Sequence, residues 1–522
     1  MLAAFPLVYV IIHASQSDLA LWQRLWTGQI PTLIFNTIKL IITSVSIAIV
    51  LGVGGAWIVE RVEIPARNLW RWLLALPLAI PAYIAAIALI ILFRRGGLLD
   101  NALMSIFGFG RGESPLPDIF SLGGATCAIA FWVYPYIFLP VSAALRSMSR
   151  SAEEASRLCG KDNWQTFWRV TLPMLGPAIA GGGLLVSLYV LSDFGTVALM
   201  RYNTFTLAIF NQFSAQTDRA AASVLSLWVI FVSIVLLWAE SRAAQRNRQF
   251  SHTHTWKPVV PLRSAMLRWL GLIFVGTLAL ISIALPLTIL GGYALQGWLA
   301  PTELDRIWSV GSESTWQHGA NSLFISALTT ATSTLLAFAP TYLAVRHRHA
   351  LSRGFIALSK APYALPGIIA GLSFILFFNR FAPFLYGTVI GLTLAFVLRL
   401  LPQSITTLES GIRSVSPQIE HAARVFGCKP HEAFRRVVLP VALPSVMASA
   451  ALVFLTAMKE LPIALLLRPP GFDTLPVRVW AASSESIYSQ AAPAACLLIL
   501  LTFVPHALLL SRSFGLDRAS DL

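Results

Sequence analysis

Glu154-Ala155-Ser156, three further residues, Gly160, nine more, then Val170, Leu172 and Pro173 make the stretch that decides the fold. A second copy stands 267 residues later, as His421-Ala422-Ala423, Gly427, Val437, Leu439 and Pro440. Glu153 to Arg157 suit a short amphipathic helix, and Gly160 permits a reversal that a side chain would hinder. Trp164 to Val170 resumes helical spacing, and Pro173 falls at the first turn of the next helix, where proline is welcome. Each copy therefore reads as a helical elbow. A polar, arginine-bearing elbow set between long apolar stretches has no role inside a bilayer, so it is expected to meet a partner in the cytoplasm. One copy could merely cap a bundle, but two with identical glycine-to-proline spacing argue for a mechanical role.

Outward from the elbows, the chain is apolar. Its 522 residues are 56% hydrophobic and 12% charged, with a mean hydropathy of +0.71; soluble domains carry about twice that charged fraction. Runs of about 20 apolar residues, enough to cross a hydrocarbon core, occur near 33–59, 72–93, 119–145, 174–200 and 220–239. They recur near 269–295, 320–345, 355–378, 381–401, 441–467 and 490–511. A twelfth run, Leu2 to His13, is short and reads as a clipped first span, because no basic residue precedes it and no small-residue cleavage site follows.

The duplication extends beyond the elbows. At an offset of 285, Asn36 matches Asn321, Pro77 matches Pro362, Pro81 matches Pro366 and Phe93 matches Phe378. After a longer loop in the first half the offset becomes 267, pairing Pro135 with Pro402, Arg146 with Arg413 and acidic Asp193 with acidic Glu460. An even number of spans in each half makes the repeats parallel, with a pathway expected along their shared axis. The expected fold is an all-α polytopic membrane protein with two parallel six-helix repeats, about twelve transmembrane helices. Residues 1–239 form the first repeat, 240–267 a cytoplasmic linker and 268–522 the second repeat. The proline pairs are expected to kink spans beside the pathway, and Gly181 to Gly183 to allow close helix packing.

Placing both elbows on one side puts 26 of the 38 basic residues there and 10 opposite, with Lys39 and Lys459 inside spans. The elbow side, with both termini, is therefore expected to be cytoplasmic. The net charge of +15 is spread over alternate membrane loops, which argues against a nucleic-acid partner. Cys127, Cys159, Cys428 and Cys496 lack CxxC spacing and read as unpaired thiols. His252 and His254 could hold a metal, but their polar linker context favours a solvated loop.

The elbow resembles the EAA motif of permease subunits of binding-protein-dependent ABC importers, whose pattern is Glu-Ala-Ala, three residues, Gly, nine residues, then Ile-x-Leu-Pro. The resemblance implies a type I importer architecture in the bacterial inner membrane, with the elbows docked on a cytoplasmic ABC ATPase dimer. It assigns ATPase coupling to Glu154, Ala155, Gly160, Leu172 and Pro173, and to Ala422, Ala423, Gly427, Leu439 and Pro440. His421 departs from the pattern, and Glu420 lies one place earlier. Ser192-Asp193-Phe194-Gly195-Thr196 with Arg201-Tyr202-Asn203-Thr204, and Lys459-Glu460-Leu461-Pro462 with Arg468-Pro469-Pro470-Gly471, are similar to the fused ferric-iron permeases. Ferric iron delivered by a periplasmic binding protein is the implied cargo. Thiamine, sulfate, polyamine and phosphonate permeases share the scaffold.

No Gly-x-x-x-x-Gly-Lys-Ser/Thr stretch occurs, so ATP is expected to be used by a separate chain and no cofactor in this one. Asp193 and Glu460, with Lys459 beside them, are the candidates for the translocation path, since ionisable groups at membrane depth are costly and often functional. Oxygen ligands suit a hard cation, while pairing with neighbouring cations is the structural alternative, with Arg201 and Arg468 interacting with nearby carboxylates. An ion-coupled secondary transporter is the rival from another class, although it has no evident need of paired elbows. A membrane-embedded enzyme lacks a convergent acid, base and nucleophile.

Overall fold

The computed structural model describes residues 5–109, 115–148, 151–214, 218–249, 262–299, 312–347, 354 and 366–514. Helices dominate, and among the described residues β structure is confined to one isolated parallel bridge, Val62 with Leu262. Within those same residues, ten helices, from Ile30–Arg61 to Tyr488–Ala507, are long and apolar enough to cross a bilayer. The shorter apolar helix Gly367–Phe381 stands where the eighth span was expected. The short opening run yields the helix Phe5–Ser15, about 17 Å long at helical rise.

Packing divides the chain into two compact units. One comprises Leu25–Ala208 and Phe231–Leu295, the other Met1–Arg24, Ile209–Ile230 and Gln296–Leu522. Each draws on both sequence halves, because residues up to Leu295 from the start of the second half pack within the first of these units.

In that unit, α1 (Ile30–Arg61), α2 (Pro135–Ser147) and, beyond the first arm of the elbow, α3 (Ser151–Leu158), the long helix α4 (Leu172–Ser192) supply the frame. Helices α1, α2 and α4 pack on one another. Buried Leu33, Thr37, Leu40, Ser44 and Ala48 recur along α1 at spacings of three or four, the stripe of a core-facing helix. Gly182 brings α4 against α2: a Cβ there would lie 2.7 Å from the Tyr136 carbonyl oxygen and 2.9 Å from Ile137 Cα. The second unit repeats the trio with α5 (Ser312–His347), α6 (Val389–Ser414) and, past the elbow arm α7 (Pro417–Val425), α8 (Leu439–Met458). Leu401, Ile405, Leu408 and Ile412 of α6 close on Ala337 of α5, flanked by Phe338, Tyr342 and Val345.

Three expected spans are broken. The run at 72–93 becomes the helix Arg67–Ala75, a 3-10 turn Leu76–Ala79 and the helix Ala82–Phe93. Pro81 (φ −59°, ψ 139°) starts that last helix and Pro366 (φ −53°, ψ 147°) starts Gly367–Phe381. These prolines begin helices where kinks were expected. A fixed φ and a missing N–H suit a start, whereas the ring would clash with the preceding turn if the helix ran on. Pro362 lies outside the described residues, as do His252 and His254. The run at 174–200 stops at Ser192 before a short helix, Gly195–Leu199, and that at 441–467 stops at Met458 before Pro462–Leu467. Arg399 sits inside α6.

Candidate functional site: paired elbows and the far ends of the helices leaving them

Both elbows are built alike. After α3, Gly160 turns the chain at φ +79°, and after α7, Gly427 does so at φ +86°. These are left-handed conformations that cost any other residue about 1–2 kcal/mol. Ser416 caps α7, its hydroxyl accepting from the Gln418 N–H at 3.3 Å. Short helices follow, Asn163–Thr166 and Pro430–Ala433, and then π turns, Phe167–Thr171 and Phe434–Val438. The π turns have a sequence cause. Pro173 and Pro440 lack an N–H and crowd the carbonyl four residues back, and a widened turn lets the helix run through. The second arm and the span are consequently continuous, over Trp164–Ser192 and His431–Met458.

Glu154, Ala155, Gly160, Pro173, Ala422, Gly427 and Pro440 are exposed, while Leu172, Ala423 and Leu439 are half-buried. Among the described residues the most exposed large apolar side chains lie just before each glycine: Leu158 is 89% accessible, its counterpart Val425 85%, and Phe426 beside it 87%. Bare apolar tips on otherwise polar arms are surfaces that call for a cover.

The residues missed by the motif reading are the anchors. Glu153, not Glu154, turns inward, with its Oε1 3.1 Å from Arg61 Nη2 at the end of α1 and accepting from Thr171 Oγ1 at 3.1 Å. In the second elbow Glu420 does the same, with Oε2 3.3 Å from Arg346 Nε and Oε1 accepting from the Tyr342 hydroxyl at 2.8 Å. Glu420 is thus the counterpart of Glu153, at the repeat offset of 267, and Arg346 that of Arg61, at 285. The shared offsets were the signal available in the sequence. His421 occupies the position of exposed Glu154 and is exposed itself.

The first unit adds a buried network. Glu60 accepts from Arg71 Nη2 at 2.6 Å, Arg71 Nε at 3.0 Å and Ser142 Oγ at 2.6 Å, and its backbone carbonyl accepts from Arg67. Burial lowers the Arg67 guanidinium from its ordinary pKa, opposed chiefly by Glu60.

At the far ends, Asp193 and Glu460 differ. Asp193 caps the short helix Gly195–Leu199: its carboxylate accepts from the Thr196 N–H at 3.1 Å, Thr196 Oγ1 at 3.0 Å and the Val197 N–H at 3.4 Å. Glu460, 7% accessible, lies 3.4 Å from Arg399 Nε. Its Oε1 presses on Gly367, where a Cβ would come within 2.7 Å. Lys459 is the C-cap of α8. Arg468 pairs with the Asp473 carboxylate, whereas the Arg201 guanidinium lies over the Phe120 ring, 4.9 Å from its centroid. Among the described residues no group of three His, Cys, Asp or Glu is placed to hold a metal ion. All four cysteines are free thiols.

The same end repeats its backbone ties. Asn36 Nδ2 donates to the Asn203 carbonyl at 3.0 Å, and Asn321 Nδ2 to the Asp473 carbonyl at 3.0 Å. Thr37 Oγ1 accepts from the Phe205 N–H at 3.4 Å, and Ser322 Oγ from the Leu475 N–H at 2.8 Å.

Comparison with known proteins bears on this duplicated geometry. The family model described as binding-protein-dependent transport system inner membrane component matches twice, over residues 48–249 and 334–512. The chain is 31% identical over 516 residues to the Fe(3+)-transport system permease protein FbpB 2 of Haemophilus influenzae, covering 98% of this chain and 96% of that protein. It is 21% identical over 543 residues to the probable ABC transporter permease protein y4fN of Sinorhizobium fredii, covering 100% and 92%. The sulfate transport system permease protein CysW of Synechocystis is 30% identical over 209 residues, 38% of this chain and 72% of that protein. With two copies of one family model and a relative matched along almost its entire length, this multi-pass chain belongs to the binding-protein-dependent transport system inner membrane components, the permease subunits of ABC importers.

Proposed function

We propose that this chain passes ferric iron, handed over by a periplasmic binding protein, across the bacterial inner membrane, with two cytoplasmic ATPase subunits seated on its elbows. The cargo assignment is carried by one observation: likeness to an Fe(3+) permease extends over 98% of the chain, whereas likeness to a sulfate permease covers 38%. Sulfate is the second reading, favoured by the 30% identity within that shorter region.

In this reading the elbow side and both termini face the cytoplasm. Leu158 and Val425 enter grooves on the ATPases, bordered by Glu154, Ala155, Gly160, Leu172 and Pro173 in one half and Ala422, Ala423, Gly427, Leu439 and Pro440 in the other. ATP is hydrolysed only in the partner chains, and no cofactor is needed here. Closure of the ATPases on ATP drives the elbows and opens the path outward, and reopening after hydrolysis resets it. Asp193, Lys459 and Glu460 border the path at its outer end. Asp193 and Glu460 are already engaged by Thr196 and Arg399, so they shape the outer helix breaks that border the path without coordinating the cation tightly. A tightly coordinated ion would leave slowly, which is the wrong property for a conduit.

The test is reconstitution in proteoliposomes with the ATPase and a ferric-loaded binding protein, following radioactive iron. Uptake that requires ATP and both partner proteins, and that excess sulfate leaves unchanged, is expected. Uphill transport by the isolated chain, or ATP-driven sulfate uptake without iron uptake, would overturn the proposal.

A further inference from the structure

Each elbow is tied to the long helix of its own unit by an ion pair, buried in the first unit and half-buried in the second, and the tie is made twice from different supporting residues. Arg61 and Glu153 have side chains 5% and 8% accessible, and Arg346 and Glu420 7% and 18%. In the first unit the third member is Thr171, the last residue of the π turn, which donates to Glu153. In the second it is Tyr342, which donates to Glu420 and lays its ring edge-on to Phe434 of the π turn, centroids 5.1 Å apart. Trp57 takes the equivalent place against Phe167 at 5.5 Å. Each arginine also reaches the residue just before its elbow: Arg61 Nη2 lies 3.8 Å from Met148 Sδ, and Arg346 Nη2 donates to the Val415 carbonyl at 2.9 Å. In the first unit the end of the long helix, the first arm of the elbow and the turn into α4 thus meet at one carboxylate; in the second the carboxylate joins the long helix to the first arm, and Tyr342 links the turn into α8 to it through Phe434.

A buried ion pair is a weak source of stability, because an apolar pair of similar volume does as well or better, but it fixes register and direction. Here that direction matters. At Gly160 and Gly427 a Cβ would meet nothing within 4 Å, so nothing packs on the glycines themselves, and in the first elbow the arms also meet across the bend where Ser156 Oγ and Thr166 Oγ1 lie 3.0 Å apart. A push on Leu158 or Val425 would be absorbed by rotation at the glycine unless the first arm were fastened elsewhere. We infer that Arg61–Glu153 and Arg346–Glu420 are positioning pairs that make each first arm move as one body with α1 or α5, delivering partner motion to the long helices. The inference rests on the proposed role of the elbows as ATPase contacts.

The experiment uses the full chain reconstituted with its ATPase and binding protein, and compares the double variant Glu153→Gln/Glu420→Gln with Glu153→Asp/Glu420→Asp. Glutamine keeps an acceptor for Thr171 and Tyr342 but removes the charge, whereas aspartate keeps the charge. With the glutamine pair, ATPase co-purification and ATP hydrolysis are expected to persist while iron taken up per ATP hydrolysed falls by about thirtyfold, the lower end of what losing a buried charged partner produces. The aspartate pair should recover much of that ratio. Because the readout is a ratio, a smaller folded fraction does not imitate it, and Arg61→Gln/Arg346→Gln, which removes the charge from the other partner, gives the same test should the glutamate variants not accumulate. Hydrolysis and uptake falling in equal proportion, or an unchanged ratio, would overturn the inference. Failure of the unaltered chain to bind an ATPase would instead overturn the reading of the elbows.

Discussion

Charge at single positions separates structure from transport in this chain. Asp193 is placed as a helix cap, so Asp193→Asn, which keeps an acceptor for Thr196, should retain iron uptake close to that of the unaltered protein. Asp193→Ala should lose about 0.5–2 kcal/mol of local stability and lower uptake. Equal loss in both variants would reveal a carboxylate that binds cargo directly. Glu60 is the opposite case, a residue whose importance lies entirely in what it neutralises. Its side chain is 2% accessible and its partner Arg71 11%, so Glu60→Ala leaves a cation in a site built for a pair. The expected cost is about 3–5 kcal/mol, visible as a lower Tm of the detergent-purified chain. An unchanged Tm would mean that water reaches the network.

The elbow is the element governed most directly by backbone conformation. Gly160 and Gly427 both sit at positive φ with open space around them, so Gly160→Val/Gly427→Val is opposed by backbone strain and not by a clash. About 1–2 kcal/mol per site reduces the population of each correctly bent elbow by about 5–30-fold. Membrane insertion should be unaffected while ATPase docking or coupled uptake declines, and normal transport would remove the elbows from the mechanism. These bends were legible because they are local: a glycine for the reversal and a proline for the resumed helix lie within one short stretch. The apolar runs were legible for a similar reason, since bilayer thickness is written directly into their length. The π turns were not, because Pro173 and Pro440 alone do not say whether the helix stops or widens. Nor were the ends of the expected spans at 72–93, 174–200 and 441–467. Apolar composition resumes beyond those breaks, so a proline or a single charged position such as Pro81, Asp193 or Lys459 does not by itself say whether the helix ends there.

At the scale of the molecule, the sequence repeat and the packing unit are different divisions. The repeat is read from offsets, as with Asn36 and Asn321 or Glu153 and Glu420, and it records duplication. The packing unit depends on contacts between residues far apart in the chain, which no local pattern encodes. Met1–Arg24 and Ile209–Ile230 pack in the unit that holds most of the second half, and Phe231–Leu295 in the unit that holds most of the first. A break within 250–261 would therefore leave neither fragment with a complete unit. Fragment 1–249 would lack the residues from 265 to 295, and fragment 262–522 would lack Met1–Arg24 and Ile209–Ile230, each loss exposing apolar surface that packs against protein in the intact chain. Produced separately, the fragments should aggregate or be degraded. Produced together, they should co-purify in equal amounts, because the missing elements are restored by the other fragment. A single fragment that is monodisperse and heat-stable by itself would show that the contacts joining the two sequence halves within each unit contribute little to folding.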